Sequence, residues 1–229
     1  MKSSILAVAA GLSVFAINSV FADELPVQFM GVNDFHGALE QTGTARLEGE
    51  TVKNAGTAPL LATYLNDSQK DFETENAGTP NASIRVQAGD MVGASPANSA
   101  LLQDEPTVKV FNEMNFEYGT LGNHEFDEGL GEFNRIMKGE APTPGQFNKI
   151  VDEYPHEASK QEVVIANLVD KDTNKIPFDW KPYTIKEIPV NDKTVKVGFI
   201  GVVTTEFPNL VLRKNHEQYR VLDEAESIA

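Results

Sequence analysis

The chain has 229 residues, no cysteine, and 34 acidic against 19 basic side chains, a formal net charge of −15. That balance repels a phosphate backbone and argues against nucleic-acid polymers as partners. It leaves small phosphate ligands open, since bound cations invert the local field. Without cysteine there is no disulfide framework, so packing, and metal where one binds, must hold the fold.

Met1-Lys2 is followed by an apolar run from Ile5 to Ile17, then by Val20-Phe21-Ala22 before Asp23-Glu24. A positive start, a core too short for a comfortable bilayer span and a small residue at the cut make residues 1–22 a secretory signal peptide, cleaved near Ala22. The alternative, an uncleaved anchor, sits poorly with the short core and the acidic flank. The mature chain is expected to be exported (secreted, periplasmic or at the cell surface), with no membrane span after cleavage. Its length suffices for one well-formed core.

Val27–Val32 has strand composition and ends in Asn33-Asp34-Phe35-His36-Gly37. The polar, glycine-containing stretch from there to Gly56 reads as a long loop. Thr57 then caps a predicted helix over 58–65, whose apolar residues 58, 61, 62 and 65 follow helical spacing. Residues 71–82 read as a polar loop, and 83–88 as a second strand, ending in Gly89-Asp90. A helix is predicted over 106–114, packing through Val108, Phe111 and Met114. A weaker strand over 116–121 delivers Gly122-Asn123-His124-Glu125-Phe126-Asp127, and a helix over 130–138 follows. Residues 147–160 read as a surface insertion, with His156, like His216 later, on the surface. Buried-type strands are predicted over 162–166 and 195–203, and Asp223 caps a final helical turn. Strands alternating with helices indicate a layered α/β fold.

Three strand ends therefore carry polar clusters. Asp34 and His36 are two apart, so in an extended segment both would leave one face and could hold one divalent cation. Asp90 has two oxygens and could bridge two cations. Asn123 offers a neutral carboxamide oxygen. His124 and Asp127 suit a pair in which a carboxylate orients an imidazole. Taken singly, Asn-Asp and Gly-Asp are ordinary turn formers, and a lone Asp-x-His is a weak signal. Their occurrence in order after three strands shifts the balance to a metal site at a sheet edge, where such folds place their sites. The mixed carboxylate, amide and imidazole set suits Mn²⁺ or Zn²⁺ better than Ca²⁺. Glu125 has no assigned task.

Asp34-x-His36, Gly89-Asp90 and Gly122-Asn123-His124-Glu125 resemble, in order, the first three blocks of the calcineurin-like metallophosphoesterases. More narrowly, Asn33–Gly37 and Gly122–Asp127 resemble the exported 5′-nucleotidase family, which includes 2′,3′-cyclic-nucleotide phosphodiesterases and UDP-sugar hydrolases. The resemblance covers residues 25–229, including Ile165-Ala166-Asn167-Leu168 and Val197–Gly201. It implies a four-layer α/β/β/α fold, two divalent metal ions and a nucleotide or other small phosphoester as substrate. It further implies that Asp34 and His36 bind the first metal, that Asp90 bridges, and that Asn123 binds the second metal and the substrate phosphate. His124, held by Asp127, would stabilise charge on the phosphoryl group or leaving oxygen as activated water attacks phosphorus in line.

The family pattern continues with a histidine after the next strand and a Gly-His-x-His or Gly-His-x-Gln block, then a C-terminal domain that holds the base. None of these is in the sequence. Residues 23–229 are thus expected to be the N-terminal part of a metallophosphoesterase catalytic domain, binding metal weakly and turning over little nucleotide alone. Hydrolysis of cyclic nucleotides, UDP-sugars or a sulfur ester at the same site stays open. So does a secreted, non-catalytic binding module on a decayed scaffold.

Overall fold

Apolar runs become strands because alternate or continuous burial requires it, and here their ends converge on one edge. The computed structural model describes residues 25–229, so the signal-peptide reading of residues 1–22 lies outside the described residues. In chain order the elements are β1 (Val27–Val32), β2 (Gly43–Leu47), β3 (Glu50–Ala55), α1 (Ala58–Glu75), β4 (Ala82–Gln87), α2 (Ala97–Ala100), α3 (Glu105–Glu113) and β5 (Tyr118–Gly119). They continue with α4 (Leu130–Lys138), α5 (Lys149–Asp152), β6 (Glu162–Val163), β7 (Leu168–Asp170), β8 (Tyr183–Val190), β9 (Lys193–Ile200), α6 (Arg213–His216), β10 (Tyr219–Val221) and α7 (Glu224–Ile228). Among the described residues no helix is long and apolar enough to cross a membrane.

The central sheet runs β1-β4-β5-β6 with every neighbouring pair parallel, so the three polar tips leave the same edge. Its two faces read from β4. Ile84 is fully buried against Ile188 and Val190 of the antiparallel β8–β9 hairpin. Arg85 points the other way, donating to Met114 O at 2.8 Å and to Asn66 and Gln69 of α1, both at 2.9 Å. Helices, parallel sheet and hairpin therefore stack in layers, the α/β class that the sequence predicts. The larger core lies on the helical side, where Phe111 and Phe116 stack at 4.5 Å and Phe126 meets Phe207 at 4.1 Å.

Several sequence expectations are corrected. The long loop to Gly56 contains the β2–β3 hairpin, closed by Glu48-Gly49 with φ of 49° and 87°. Positive φ at both turn residues matches strand twist; the hairpin has no buried face, so no apolar alternation announces it. α1 runs on to Glu75, through the stretch read as loop, on polar residues such as the Gln69–Glu73 pair at 2.8 Å. The strand over 116–121 shrinks to Tyr118–Gly119, and β8 has no counterpart in the sequence reading. His156 is not a surface residue. Its Nδ1 lies 2.6 Å from Glu105, whose other oxygen accepts from Arg135 at 2.8 Å, all three side chains being largely buried. A buried acid needs such partners, and Glu105 draws the insertion against α3. His216 is half-buried, edge-on to Phe207 at 5.6 Å.

Phe126 is fully buried beneath the third tip. Phe126→Ala is expected to cost about 3–5 kcal/mol, as other large-to-small core changes do. Chemical denaturation should read this as a lower midpoint with unchanged slope; an unchanged midpoint would refute the packing assigned to it.

Candidate metal centre

The tips are joined by backbone before any side chain is considered. Beyond β1 and β4 the chains stay in register through Asp34 N–H to Gly89 O (3.2 Å), His36 N–H to Asp90 O (3.0 Å) and Gly37 N–H to Met91 O (3.1 Å). Asp34, His36 and Asp90 sit at φ of 52°, 47° and 53°, so both tips curl rather than extend. Alternation therefore does not place Asp34 and His36, which corrects the same-face argument; left-handed backbone does. Asp34 stays at the rim, bonded by the Asn33 carboxamide, with Oδ1 3.8 Å from His36 Nε2.

The third tip docks on the second through Asp90. Its Oδ1 accepts the His124 backbone N–H at 2.8 Å, and a Cβ on Gly122 would fall 2.2 Å from the same oxygen. Only glycine allows that approach. Asn123 heads the following turn, half-buried, its carbonyl accepting from Phe126 N–H at 3.2 Å. His36, Asp90 and His124 come together: ligand atoms of all three lie within 4.8 Å of one another, and the two imidazoles meet edge-on at 4.7 Å. The structure thus gathers His36 and Asp90 of the expected ligands and adds His124, with Asp34 at the rim.

Hydrogen bonding fixes both rings. His36 Nδ1–H donates to Gly93 O at 2.9 Å, and His124 Nδ1–H donates to Asp127 Oδ2 at 2.8 Å, the pairing read from the sequence. Each ring keeps Nε2 as its free nitrogen, and this is what a metal-binding or proton-handling imidazole needs. Burial works against the charged form of His124, but the Asp127 hydrogen bond and the charges of Asp127, Asp90 and Glu125 outweigh it and raise its pKa. Two committed imidazoles among carboxylates are a donor set that fits a divalent cation.

Glu125 is the residue the sequence reading missed. It is buried, and its carboxylate accepts three backbone N–H groups: Asp90 (2.9 Å), Met91 (2.8 Å) and Gly122 (2.6 Å). Burial pushes its pKa up to about 7, against the pull of those donors. The signal was present, for a glutamate that reaches back three residues to a backbone N–H is the acidic half of a capping box.

The strand order and the parallel register define a layered α/β fold with its polar clusters gathered at the strand ends. The structure aligns with NAD nucleotidase of Haemophilus influenzae over 87% of this chain and 30% of that one (TM-score 0.60, 23% identity). It aligns also with the calcineurin-like phosphoesterase YfkN of Bacillus subtilis over 87% and 55% (TM-score 0.58, 24% identity). No family model matches the chain. In sequence it is 53% identical to the cell wall protein Lmo0130 of Listeria monocytogenes, over 90% of this chain and 25% of that protein. It is 35% identical to endonuclease YhcR of Bacillus subtilis, over 90% and 15%. A 2′,3′-cyclic-nucleotide 2′-phosphodiesterase/3′-nucleotidase of Salmonella typhimurium is 32% identical, over 53% and 17%. Its relatives and structural neighbours thus include proteins named as 5′-nucleotidases and 2′,3′-cyclic-nucleotide phosphodiesterases. The chain spans a quarter or less of each of the three relatives given by identity.

Glutamine at position 125 would present an NH₂ group to at least one of the three backbone N–H donors. Glu125→Gln is expected to lose about 1–3 kcal/mol, the cost of unsatisfied buried polar groups. Thermal unfolding measures it, and an unaltered Tm would sink the three-donor account.

Proposed function

We propose that these residues form the N-terminal part of an exported two-metal phosphoester hydrolase that releases phosphate from nucleotides. The juxtaposition of His36, Asp90 and His124, with both Nδ1 atoms already engaged, carries this reading. Asp34 and His36 would hold one divalent ion, Asp90 would be shared, and Asn123 would serve the second ion and the substrate phosphate. Bound Mn²⁺ or Zn²⁺ would neutralise phosphate charge and lower the pKa of water.

The rest falls to the protein's own groups. His124 Nε2, oriented by Asp127, can hold a proton beside a phosphoryl or leaving oxygen. The raised His124 pKa favours the protonated ring that such a role uses. Residues 23–229 would be one continuous part of the catalytic domain. Export is supported by the relative named a cell wall protein. The metal site itself does not separate 5′-nucleotides from 2′,3′-cyclic nucleotides or UDP-sugars, because the groups here address phosphate and not the base.

A second reading, cleavage of nucleic-acid phosphodiesters, is favoured by the 35% identity to a protein named an endonuclease. The net charge of −15 opposes it.

Titration with Mn²⁺ or Zn²⁺ should raise the Tm of the parent chain, by binding linkage worth about 2.7 kcal/mol at a hundredfold excess over Kd. His36→Ala and Asp90→Asn should lose that increment. Asparagine keeps an oxygen for the His124 N–H, so Asp90→Asn should stay folded. Metal-induced stabilisation that survives both changes would refute the assignment. With the protein extended to the length of its relatives, phosphate release from a 5′-mononucleotide supports the leading reading; cleavage of an oligonucleotide with none from mononucleotides would replace it.

A further inference from the structure

We infer that Asp104 is a positioning residue that sets both imidazoles of the site through a single peptide group, the one joining Gly93 and Ala94. The carbonyl of that peptide accepts from His36 Nδ1–H at 2.9 Å. Its N–H donates to Asp127 Oδ2 at 3.1 Å, and the same oxygen accepts from His124 Nδ1–H at 2.8 Å. One planar unit thus holds the His36 ring directly and braces the carboxylate that holds His124, so turning it would free His36 and remove one support of Asp127. Gly93 and Ala94 on either side have φ of 79° and 47°, conformations that need external support, above all for alanine.

Asp104 supplies that support. Its Oδ2 accepts the Gly93 N–H at 3.1 Å, while Oδ1 accepts from Ser99 Oγ at 2.6 Å. Ser99 is fully buried and has one hydroxyl proton, given to Asp104, so the equally buried Thr107 donates to it at 2.8 Å. The Asp104 carbonyl accepts from the Thr107 and Val108 N–H groups at the head of α3. Its carboxylate makes no capping bond to that helix; it is turned toward the site instead. A Cβ on Gly93 would fall 2.5 Å from His124 O and 2.8 Å from Asp127 Oδ2, so the close approach of this peptide to the third tip requires glycine there. The path runs from α3 through Asp104 to Gly93, then to His36 on one side and to Asp127 and His124 on the other. The consequence is that both rings carry hydrogen on Nδ1 and keep Nε2 free.

The inference rests on the reading of His36 and His124 as members of one site. Nitrogen-15 NMR of the imidazoles of the metal-free 229-residue chain tests it, at pH about 9, above the ordinary imidazole range. In the parent both rings are expected as Nδ1–H tautomers. In Asp104→Ala, His36 should show mixed tautomers, and Zn²⁺ affinity should fall about 10–100-fold. Asp104→Asn should restore both, because its amide oxygen can accept the Gly93 N–H while its NH₂ donates to Ser99, whose proton turns to Thr107. Ser99→Ala should lower the Tm and leave tautomers and Zn²⁺ affinity as in the parent, a contrast that a merely structural Asp104 would not produce. A parent ring found as Nε2–H overturns the inference, as does Asp104→Ala with unchanged tautomers and affinity. If Asp104→Ala does not fold, shifted tautomers in Asp104→Asn or Ser99→Ala overturn it equally. A parent with the expected tautomers that binds no Zn²⁺ would count against the proposed function and not against this positioning.

Discussion

A strand that ends at a functional edge leaves backbone N–H groups with no ladder partner, and the cost of burying them must be met locally. Here Glu125 meets it for two tips at once. Its carboxylate collects N–H groups from Asp90 and Met91 after β4 and from Gly122 after β5. Asp90 answers from the other side, accepting the His124 N–H. The two loops are thus cross-tied by carboxylates, and the position of each tip is conditional on the other. The buried acid is costly, as the rise of its pKa to about 7 shows. The cost falls on the residue that organises the site, and Asp90 and His124 are left partly open to a ligand.

The same edge concentrates backbone strain. Asp34, His36, Asp90 and Ala94 all occupy left-handed conformations, and each such residue other than glycine costs on the order of 1 kcal/mol or more. Strain of that kind persists only where surrounding bonds over-determine it. The registered bonds between the β1 and β4 tips do this for Asp34 and His36, and the Glu125 bond to its N–H does it for Asp90. Aspartate tolerates the left-handed region better than most side chains because it can bond its own neighbourhood. The choice of Asp over Glu at the tips is therefore a backbone requirement as well as a matter of ligand reach.

Much of this was legible in the sequence, for reasons that differ by element. α4 was readable to the residue because Phe133, Ile136 and Met137 mark one buried stripe, and β1 and β4 because their apolar runs end in polar turns. The β2–β3 hairpin was not, since neither of its faces is buried and nothing in its pattern marks a strand. The His124–Asp127 pair was visible as residues three apart on one turn. Glu125 and His156 were not, because each acts across the fold: Glu125 on backbone from a strand 34 and 35 residues away, His156 on an acid 51 residues away. Local spacing carries information about groups on one turn or one strand. It carries little about a side chain whose partner is a distant main chain.

Charge connects the site to the whole molecule. Asp34, Asp90 and Asp127 surround two imidazoles, within a chain of net charge −15. A phosphate approaching that edge meets repulsion unless positive charge is present. The upward pKa shift of His124, where the neighbouring carboxylates outweigh burial, favours the charged ring that would supply part of it. One imidazolium cannot balance three carboxylates and a phosphate as well. An arrangement of this sign is therefore suited to phosphate only with divalent cations in place, and the same carboxylates that repel the bare substrate would hold the ions that attract it. In the proposed site, metal binding and substrate selection are thus one electrostatic requirement, met by residues from three strand ends that the Glu125 carboxylate keeps in register.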